Sequence, residues 1–278
     1  FPPVCGGSGW STWELVRGLI DRGHDLDVVR IQPGDHTQVT TSSYQGVPVT
    51  VVEHRAPTTP YLRNIVKNEQ LWRRLKEYLV SSHLDRPVDV VHAQHVLGTV
   101  PSIEAARQAG VPVVATVRDY WPVCYWSDLI HDPTQSALCP ACSVPMMTRC
   151  VRPRAGAAWP LALPMIPYMR TNLRTKQRRL AAADAVIAVS STIARDLRSR
   201  SRGLNPARVH TIPNPIDMEA LDAAYTRSEP PLTGPYVLYA GKLAVNKGVQ
   251  YLLPAIARAR ISWPLVIVGD GPMRAEFE

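Results

Sequence analysis

The segment from residue 236 to residue 271 constrains the fold most, because it holds a complete strand, turn, helix and strand pattern. Its two apolar runs, YVLYA and PLVIVGDG, flank a glycine turn and a helical stretch, as is typical of a parallel sheet. The turn carries Lys242 and Lys247. A cationic turn at a helix N-terminus attracts anions, because unpaired N–H groups and the positive end of the helix dipole point the same way. The pattern therefore predicts a site for a phosphate or diphosphate.

The rest of the chain repeats this alternation. Apolar periodicity predicts helices over residues 10–22, 62–83, 101–109, 174–183 and 192–202, and strands over residues 26–31, 47–52, 88–93, 111–117, 185–189 and 209–212. Such an order favours a mostly parallel sheet with helices on both faces, a doubly wound α/β fold. We place a first domain at residues 1–215 and a second at residues 216–278. Clustered prolines oppose one long helix within residues 144–167, and residues 213–235 are predicted to be irregular.

Both ends of the chain look incomplete. Phe1 leads directly into a glycine-rich stretch with no strand before it, and Glu278 falls in what looks like the first turns of a helix. We therefore expect a piece of a longer protein, with the first strand of the first domain missing and the second domain truncated. No signal peptide and no apolar run of spanning length is visible. The expected location is the cytoplasm, with peripheral contact to the inner face of the plasma membrane.

Two groups of residues stand where open α/β sheets bind ligands. The first precedes the first helix, where glycines let a ligand approach the backbone, or else simply form a tight turn: Gly6, Gly7, Ser8 and Gly9. The second, Arg118 and Asp119, follows the strand at residues 111–117. Arg118 suits a phosphate or carboxylate, and Asp119 suits a hydroxyl group or the arginine itself. The alternative for this pair is a surface ion pair.

Four cysteines follow that strand in an irregular segment: Cys124, Cys139, Cys142 and Cys150. Four thiolates with one C-x2-C spacing can form a structural zinc site, and unligated structural thiols are the alternative. Disulfides are not expected in a cytosolic protein. No histidine and carboxylate set accompanies the cysteines, which disfavours a catalytic metal. His92, near the end of the strand at residues 88–93, and His95, just after it, are interpreted as hydrogen-bonded structural histidines; the alternative is that one of them faces the cleft.

The net charge of +8 is concentrated in one region. The cations between residues 149 and 179 have no acidic residue among them and flank an apolar segment: Arg149, Arg152, Arg154, Arg170, Arg174, Lys176, Arg178 and Arg179. This arrangement suits an anionic membrane surface, and the alternative is a solvated basic helix face. Aromatic residues do not alternate with these arginines in the manner of a nucleic-acid groove, so a nucleic-acid partner is not expected.

Six motifs in register resemble the glycosyltransferases of the large family four, which have the GT-B fold. They are PPVCGGSGWSTWELVRGLIDRGHDLDVV, VDVVHAQH, VPVVATVRDYW, ADAVIAVSS, VHTIPNPID, and GKLAVNKG followed by VIVGDGP. The resemblance covers nearly the whole chain. The segment RDYWPVC is similar to a subgroup associated with exopolysaccharide and cell-surface glycan assembly.

The resemblance implies two Rossmann-like domains facing a cleft, with a nucleoside-diphosphate sugar donor on the second domain and a glycan or lipid-linked acceptor on the first. It implies that Lys242 and Lys247 neutralise the donor diphosphate and the charge that grows on the leaving nucleotide. Gly7 would lie against the diphosphate or the sugar, and Gly269 belongs to the donor signature. Members of the family retain anomeric configuration and need no metal for catalysis. The candidate catalytic residues are Lys242 and Lys247, which the resemblance implies, and Arg118 and Asp119, which are chosen for their place at the end of the strand at residues 111–117.

Two departures from the family pattern matter. Arg118 stands where many relatives have a histidine, so the role of that histidine does not transfer directly. The downstream E-x7-E element of the family lies beyond the end of this sequence, and we expect the chain alone to be inactive. Three other classes stay open: a nucleotide-sugar epimerase on the same fold, a nicotinamide-dependent reductase, and a non-catalytic basic module that binds membranes. The missing GxGxxG pattern counts against the reductase.

Overall fold

The computed structural model describes residues 1–3, 5–55, 57, 60–132 and 137–278. Its elements in chain order are α1 (Gly7–Ile20), β1 (Val28–Gly34), β2 (Gln38–Tyr44), β3 (Val47–Arg55), α2 (Pro60–Asp85), β4 (Val91–Ala93), α3 (Val96–Ala109), β5 (Val113–Val117), β6 (Ile130–Asp132), β7 (Ala137–Leu138), α4 (Val144–Ala155), α5 (Trp159–Ala162), α6 (Met165–Leu180), β8 (Ala185–Ala188), α7 (Ser191–Arg200), β9 (Val209–Thr211), α8 (Met218–Arg227), β10 (Val237–Ala240), α9 (Leu252–Ala259) and β11 (Leu265–Val268). Short 3₁₀ turns lie at Gly156–Ala158, Pro206–Arg208, Val245–Lys247, Val249–Tyr251 and Arg274–Glu276.

The chain divides into two compact units. The first comprises Phe1–Leu129, Ala141–Val144 and Pro164–Ile216, and the second comprises Ile130–Pro140, Pro145–Leu163 and Asp217–Glu278. Much of the segment after β5 therefore groups with the second unit. The functional domains inferred at residues 1–215 and 216–278 stay a prediction.

The first unit contains a four-stranded parallel sheet in the order β4-β5-β8-β9 and a three-stranded sheet in the order β1-β3-β2. In the smaller sheet β1 runs parallel to β3, and β2 pairs with β3 as an antiparallel hairpin. The central strand β5 is fully buried at Val113, Ala115 and Val117. A parallel strand covered on both faces has such a continuous apolar sequence. The carboxyl ends of the four parallel strands consequently lie along one edge of the sheet.

Helices α3, α6 and α7 contribute to the core around β5 and β8. Ile103 of α3, Leu180 of α6 and Leu197 of α7 belong to the same buried cluster as the β5 valines. Helix α7 begins where the Ser190 side chain accepts a hydrogen bond from the Ile193 N–H.

The second unit is built around the parallel pair β10 and β11. Its core cluster contains three buried residues, Leu243, Val249 and Met273, with the half-buried Tyr239 and Ile267 packed against them. The strands themselves are only half-buried to exposed. This unit therefore depends on the loops after its strands for much of its packing.

The structure corrects several element predictions. Helix α1 begins at Gly7 rather than at residue 10, and α6 begins at Met165 rather than at residue 174. Strand β2 was not predicted, and the region predicted to be irregular contains α8, which begins after an Asp217 cap. The proline-rich stretch folds as short helical pieces, in agreement with the expectation that no single long helix spans it.

Candidate functional site

Arg118 lies at the carboxyl edge of the four-stranded sheet, where the sequence predicted it. Its Nη1 donates to the Gln94 carbonyl oxygen at 2.7 Å, and its Nε donates to Asn214 Oδ1 at 3.0 Å. Gln94 follows β4, Arg118 follows β5, and Asn214 lies three residues beyond the end of β9. Three chain segments that are far apart in sequence therefore converge on one guanidinium. The sequence pattern pointed to Arg118. Gln94 and Asn214 lie within the motifs VDVVHAQH and VHTIPNPID, but the sequence analysis assigned them no role.

The charge of Arg118 is not balanced by a carboxylate in the described part of the chain. Burial lowers the pKa of its guanidinium, and no nearby acid opposes that effect. The neighbouring Asp119 does not pair with Arg118. Its Oδ1 instead accepts a hydrogen bond from the Trp121 N–H at 2.8 Å. The alternative of a surface ion pair between Arg118 and Asp119 is therefore wrong. Any catalytic role for Asp119 stays a prediction, and the contact seen here shapes the loop after β5.

His92 lies beside this arginine. Its Nε2 is 2.8 Å from Thr116 Oγ1 and 2.7 Å from Gln94 Nε2. Burial and, second, the positive charge of Arg118 lower the pKa of His92 to about 4. The imidazole is therefore neutral at pH 7. His95 accepts a hydrogen bond from the Leu97 N–H and caps α3. Hydrogen-bonded histidines were expected at both positions, and these contacts confirm that expectation.

A buried polar cluster on α6 was missed by the sequence analysis. Lys176, which the sequence analysis counted among the membrane-facing cations, is only 6% exposed, so its place on that surface is wrong. Its Nζ lies 5.6 Å from the centre of the Tyr125 ring. Burial raises the pKa of Asp119. The hydrogen bond from the Trp121 N–H and, after it, the positive charge of Lys176 partly offset this increase. Asn172, one helical turn before Lys176, is 3% exposed, and its amide atoms have no hydrogen-bond partner among the described residues. The i, i+4 spacing of Asn172 and Lys176 could have indicated that they share one helix face. The sequence analysis missed it because its predicted helix began only at residue 174, after Asn172.

The glycine-rich stretch forms the first turn of α1 instead of a loop before it. Gly7, Ser8 and Gly9 are helical, and Gly6 is the cap, with φ −87°. A side chain at Gly9 would meet Cys5 atoms at 2.5 Å, so this glycine is required by packing. Gly6 and Gly7 have open space around them. Their predicted contact with a donor stays a prediction, and the N–H groups of the first turn are of the kind that binds anions.

In the second unit, the loops after β10 and β11 are joined by backbone hydrogen bonds. The Gly241 N–H donates to Val268 O and the Leu243 N–H donates to Asp270 O, both at 2.9 Å. A Cβ at Gly269 would lie 1.9 Å from Gly241 O, and one at Gly271 would lie 2.3 Å from Leu243 O. Glycine is therefore required at both positions by the close approach of the two loops, which accounts for the GDG sequence.

Lys242 and Lys247 lie in the loop after β10, and both are exposed. Neither side chain has a hydrogen-bond or ion-pair partner within the part of the chain that the structure describes. Lys247 ends a 3₁₀ turn, a second 3₁₀ turn follows it, and α9 begins only at Leu252. The prediction that the lysines sit directly at an α-helix N-terminus is corrected accordingly. What remains is a basic turn at the carboxyl end of a parallel strand pair.

The cysteines divide between the units. Cys124 and Cys142 lie in the first, and Cys139 and Cys150 lie in the second. All are thiols. Among the described residues, no three His, Cys, Asp or Glu side chains are grouped so that they could hold a metal ion. The geometry adds no support to the zinc site predicted from the cysteine spacing, and that site stays a prediction.

A comparison with protein families identifies the class of the chain. The model of Glycosyltransferase Family 4 matches residues 5–220. Since this match covers most of the sequence, the protein belongs to Glycosyltransferase Family 4, and the resemblance inferred from its motifs is confirmed. No curated protein sequence matches the chain. None of the described helices is both long and apolar enough to cross a membrane.

Solved structures of Anabaena HepE are similar in fold. The complex with UDP and glucose has a TM-score of 0.55 at 16% identity and covers 98% of this chain and 60% of that chain. The complex with UDP has a TM-score of 0.52 at 15% identity, with 98% and 60% covered. The complex with UDP-glucose has a TM-score of 0.51 at 15% identity, with 97% and 58% covered. The chain thus spans about 60% of the length of HepE. The predicted α/β fold of the GT-B type is confirmed.

Proposed function

We propose that this chain is part of a glycosyltransferase that moves a sugar from a nucleoside-diphosphate donor to a glycan or lipid-linked acceptor, with retention of configuration and without a catalytic metal. The observation that carries the proposal is the basic turn after β10 in a member of Glycosyltransferase Family 4. The HepE complexes support the choice of donor, because they contain UDP or UDP-glucose. We include in the same proposal that the transfer serves the assembly of cell-surface glycans or exopolysaccharides.

Lys242 and Lys247 would act on the donor diphosphate. When the bond between the sugar and the diphosphate breaks, negative charge grows on the leaving nucleotide, and a fixed cation there lowers the barrier. Both side chains are exposed and have no partner among the described residues, so a diphosphate would not have to displace a carboxylate. The backbone of Gly269, in the same unit, is a further donor contact in this proposal.

The test is a charge removal at the basic turn of the full-length protein. Lys247→Ala should lower kcat for transfer from a UDP-sugar by about 10²- to 10³-fold, because a group that stabilises developing charge acts mainly in the transition state. Arg258→Ala is the matched control, since it removes an exposed cation from the α9 helix of the same unit. Turnover that is unchanged in Lys247→Ala would refute the assigned role.

The product distinguishes the alternatives. A transferase forms a new glycosidic bond, whose configuration is read by NMR, whereas an epimerase releases a changed sugar without using the acceptor. Saturable binding of NADH or NADPH, with no binding of a nucleotide sugar, would instead identify a reductase.

We also propose peripheral contact with an anionic membrane through α6. Arg170, Arg174 and Arg178 are exposed and spaced four residues apart, so they share one face of the helix. Other cations of the basic region are engaged: Arg179 pairs with Glu104 at 2.7 Å, and Arg154 donates to the Ile130 carbonyl oxygen. The membrane surface in this proposal is therefore narrower than the sequence suggested.

A further inference from the structure

The guanidinium of Arg118 is held in place but is only partly used. An arginine carries five N–H donors, and the described contacts of Arg118 engage one on Nε and one on Nη1. Both acceptors are neutral oxygens, from Gln94 and Asn214. The remaining N–H groups, including both on Nη2, have no partner among the described residues. The guanidinium is thus held in a fixed orientation, and three of its N–H groups can still donate hydrogen bonds to a ligand.

Three exposed arginines of the first unit have carboxylate partners. Arg86 pairs with Asp25 and Asp27, Arg107 pairs with Asp184 at 2.9 Å, and Arg179 pairs with Glu104 at 2.7 Å. Arg118 is half-buried and lacks such a partner in the described part of the chain. Burying an unpaired charge is unfavourable, so the position favours an anion that arrives from outside the chain.

The groups around Arg118 leave its charge uncancelled. His92, Thr116, Gln94 and Asn214 are all neutral at pH 7, and Asp119 is bound to the Trp121 N–H. The position is the carboxyl edge of a parallel sheet, which is where open α/β folds bind ligands. A guanidinium fork matches the oxygens of a phosphate with two parallel hydrogen bonds.

We propose that Arg118, held by Gln94 and Asn214, is a specificity residue that binds a phosphate group of the acceptor. The assignment to the acceptor rests on the proposed function, in which the donor diphosphate is bound by the basic turn of the second unit. The phosphate binding itself does not depend on it. A lipid phosphate and a sugar phosphate offer the same chemistry, and the experiment separates these two sources.

The experiment measures binding to the full-length protein by calorimetry, with geranyl phosphate as the lipid probe and glucose 6-phosphate as the sugar probe. Geraniol and glucose are the uncharged controls. Arg118→Gln should weaken binding of at least one phosphate probe by tenfold or more and leave the uncharged controls unchanged. Arg118→Lys should recover part of the affinity, because it restores the charge but not the fork. The probe that shows the dependence identifies the source.

Two results would overturn the proposal. One is equal binding of both phosphate probes by the wild type and Arg118→Gln. The other is a loss of UDP-glucose binding in Arg118→Gln while the phosphate probes bind as before, because Arg118 would then serve the donor. If Arg118→Gln does not fold, Asn214→Ala replaces it and should weaken phosphate binding severalfold by releasing Nε; unchanged binding would again overturn the proposal. Failure of the proposed function appears separately, as an absence of sugar transfer with phosphate binding intact.

Discussion

His92 couples the candidate site to the stability of the first unit. Its folded-state pKa of about 4 lies below the ordinary histidine value of 6.5, chiefly because the imidazole is buried. When the pH falls below about 6.5, the unfolded chain therefore takes up a proton that the folded chain does not. The stability from this group is fully present above pH 6.5 and is lost as the pH approaches 4. Acidification should consequently destabilise the protein through this residue.

His92→Asn should remove that dependence. Lowering the pH from 7.5 to 5 should cost the wild type about 2 kcal/mol more in the free energy of unfolding than it costs the variant. Urea unfolding followed by tryptophan fluorescence at both pH values measures the difference. His210→Asn, at an exposed position of β9, is the control substitution. Equal pH dependence in the wild type and His92→Asn would show that the imidazole is not held neutral.

Arg118 and Asp119 illustrate what can be predicted for single residues. The buried run VPVVATV placed both side chains at the end of a strand, and the structure agrees. Their partners could not be predicted, because hydrogen bonds to Gln94 O and Asn214 Oδ1 join residues 24 and 96 positions away from Arg118. Tertiary contacts therefore determine that Arg118 binds Gln94 and Asn214 while the adjacent Asp119 binds the Trp121 N–H.

At the scale of elements, the pair β10 and β11 shows how glycines support a turn. The backbone pairing continues beyond both strands, from Gly241 to Val268 and from Leu243 to Asp270. The space between the loops is filled by backbone atoms. A side chain at Gly269 would overlap with the Gly241 carbonyl oxygen. A flexible side chain could move to relieve such an overlap, but a backbone carbonyl in a hydrogen-bonded loop could not.

Gly269→Ala should therefore lower the free energy of unfolding by more than about 2 kcal/mol, measured by thermal or urea unfolding. Gly18→Ala on α1 is the control, since a Cβ there would meet only the flexible end of Arg22, at 3.5 Å. That control should change stability by less than about 1 kcal/mol, in the stabilising direction. A Gly269→Ala protein as stable as the wild type would mean that the loops are not closely packed in solution.

The elements that sequence reasoning missed have identifiable physical reasons. Helix α6 begins early because Pro167 lies in its first turn, where the missing N–H would have no intrahelical partner. Strand β2 has mostly exposed polar residues, and its pairing with β3 defines it as a strand. Helix α8 has apolar residues at helical spacing, Met218, Leu221 and Tyr225, but it lies in a proline-bearing stretch that favoured the prediction of irregular structure.

At the scale of the whole molecule, the net charge of +8 favours association with anionic surfaces. The exposed arginine row of α6 is the local feature that would direct it. Each basic residue near an anionic bilayer contributes about 1 kcal/mol, so the three together account for up to about 100-fold in affinity. The interaction should weaken as salt is added.

Replacing Arg170, Arg174 and Arg178 with alanine should weaken binding to vesicles containing phosphatidylglycerol by about 10- to 100-fold at low salt. A control protein with the same loss of charge, in which Arg73, Arg202 and Arg258 become alanine, should bind nearly as well as the wild type. Vesicle co-sedimentation measures both. If the two variants lose affinity equally, net charge rather than the α6 face governs binding, and the proposed contact is wrong.

The amino-acid sequence alone predicts the α/β class, the family and most strands, because buried parallel strands require continuous apolar runs and tight turns require glycine. It also located Arg118, Lys242 and Lys247 at strand ends, since those ends are defined by where the apolar runs stop. The hydrogen bonds of Arg118 to Gln94 and Asn214, and that of Asp119 to the Trp121 N–H, arise from the folded structure. Periodicity describes which face of an element is buried, but it carries no information about which distant side chains meet across a sheet edge.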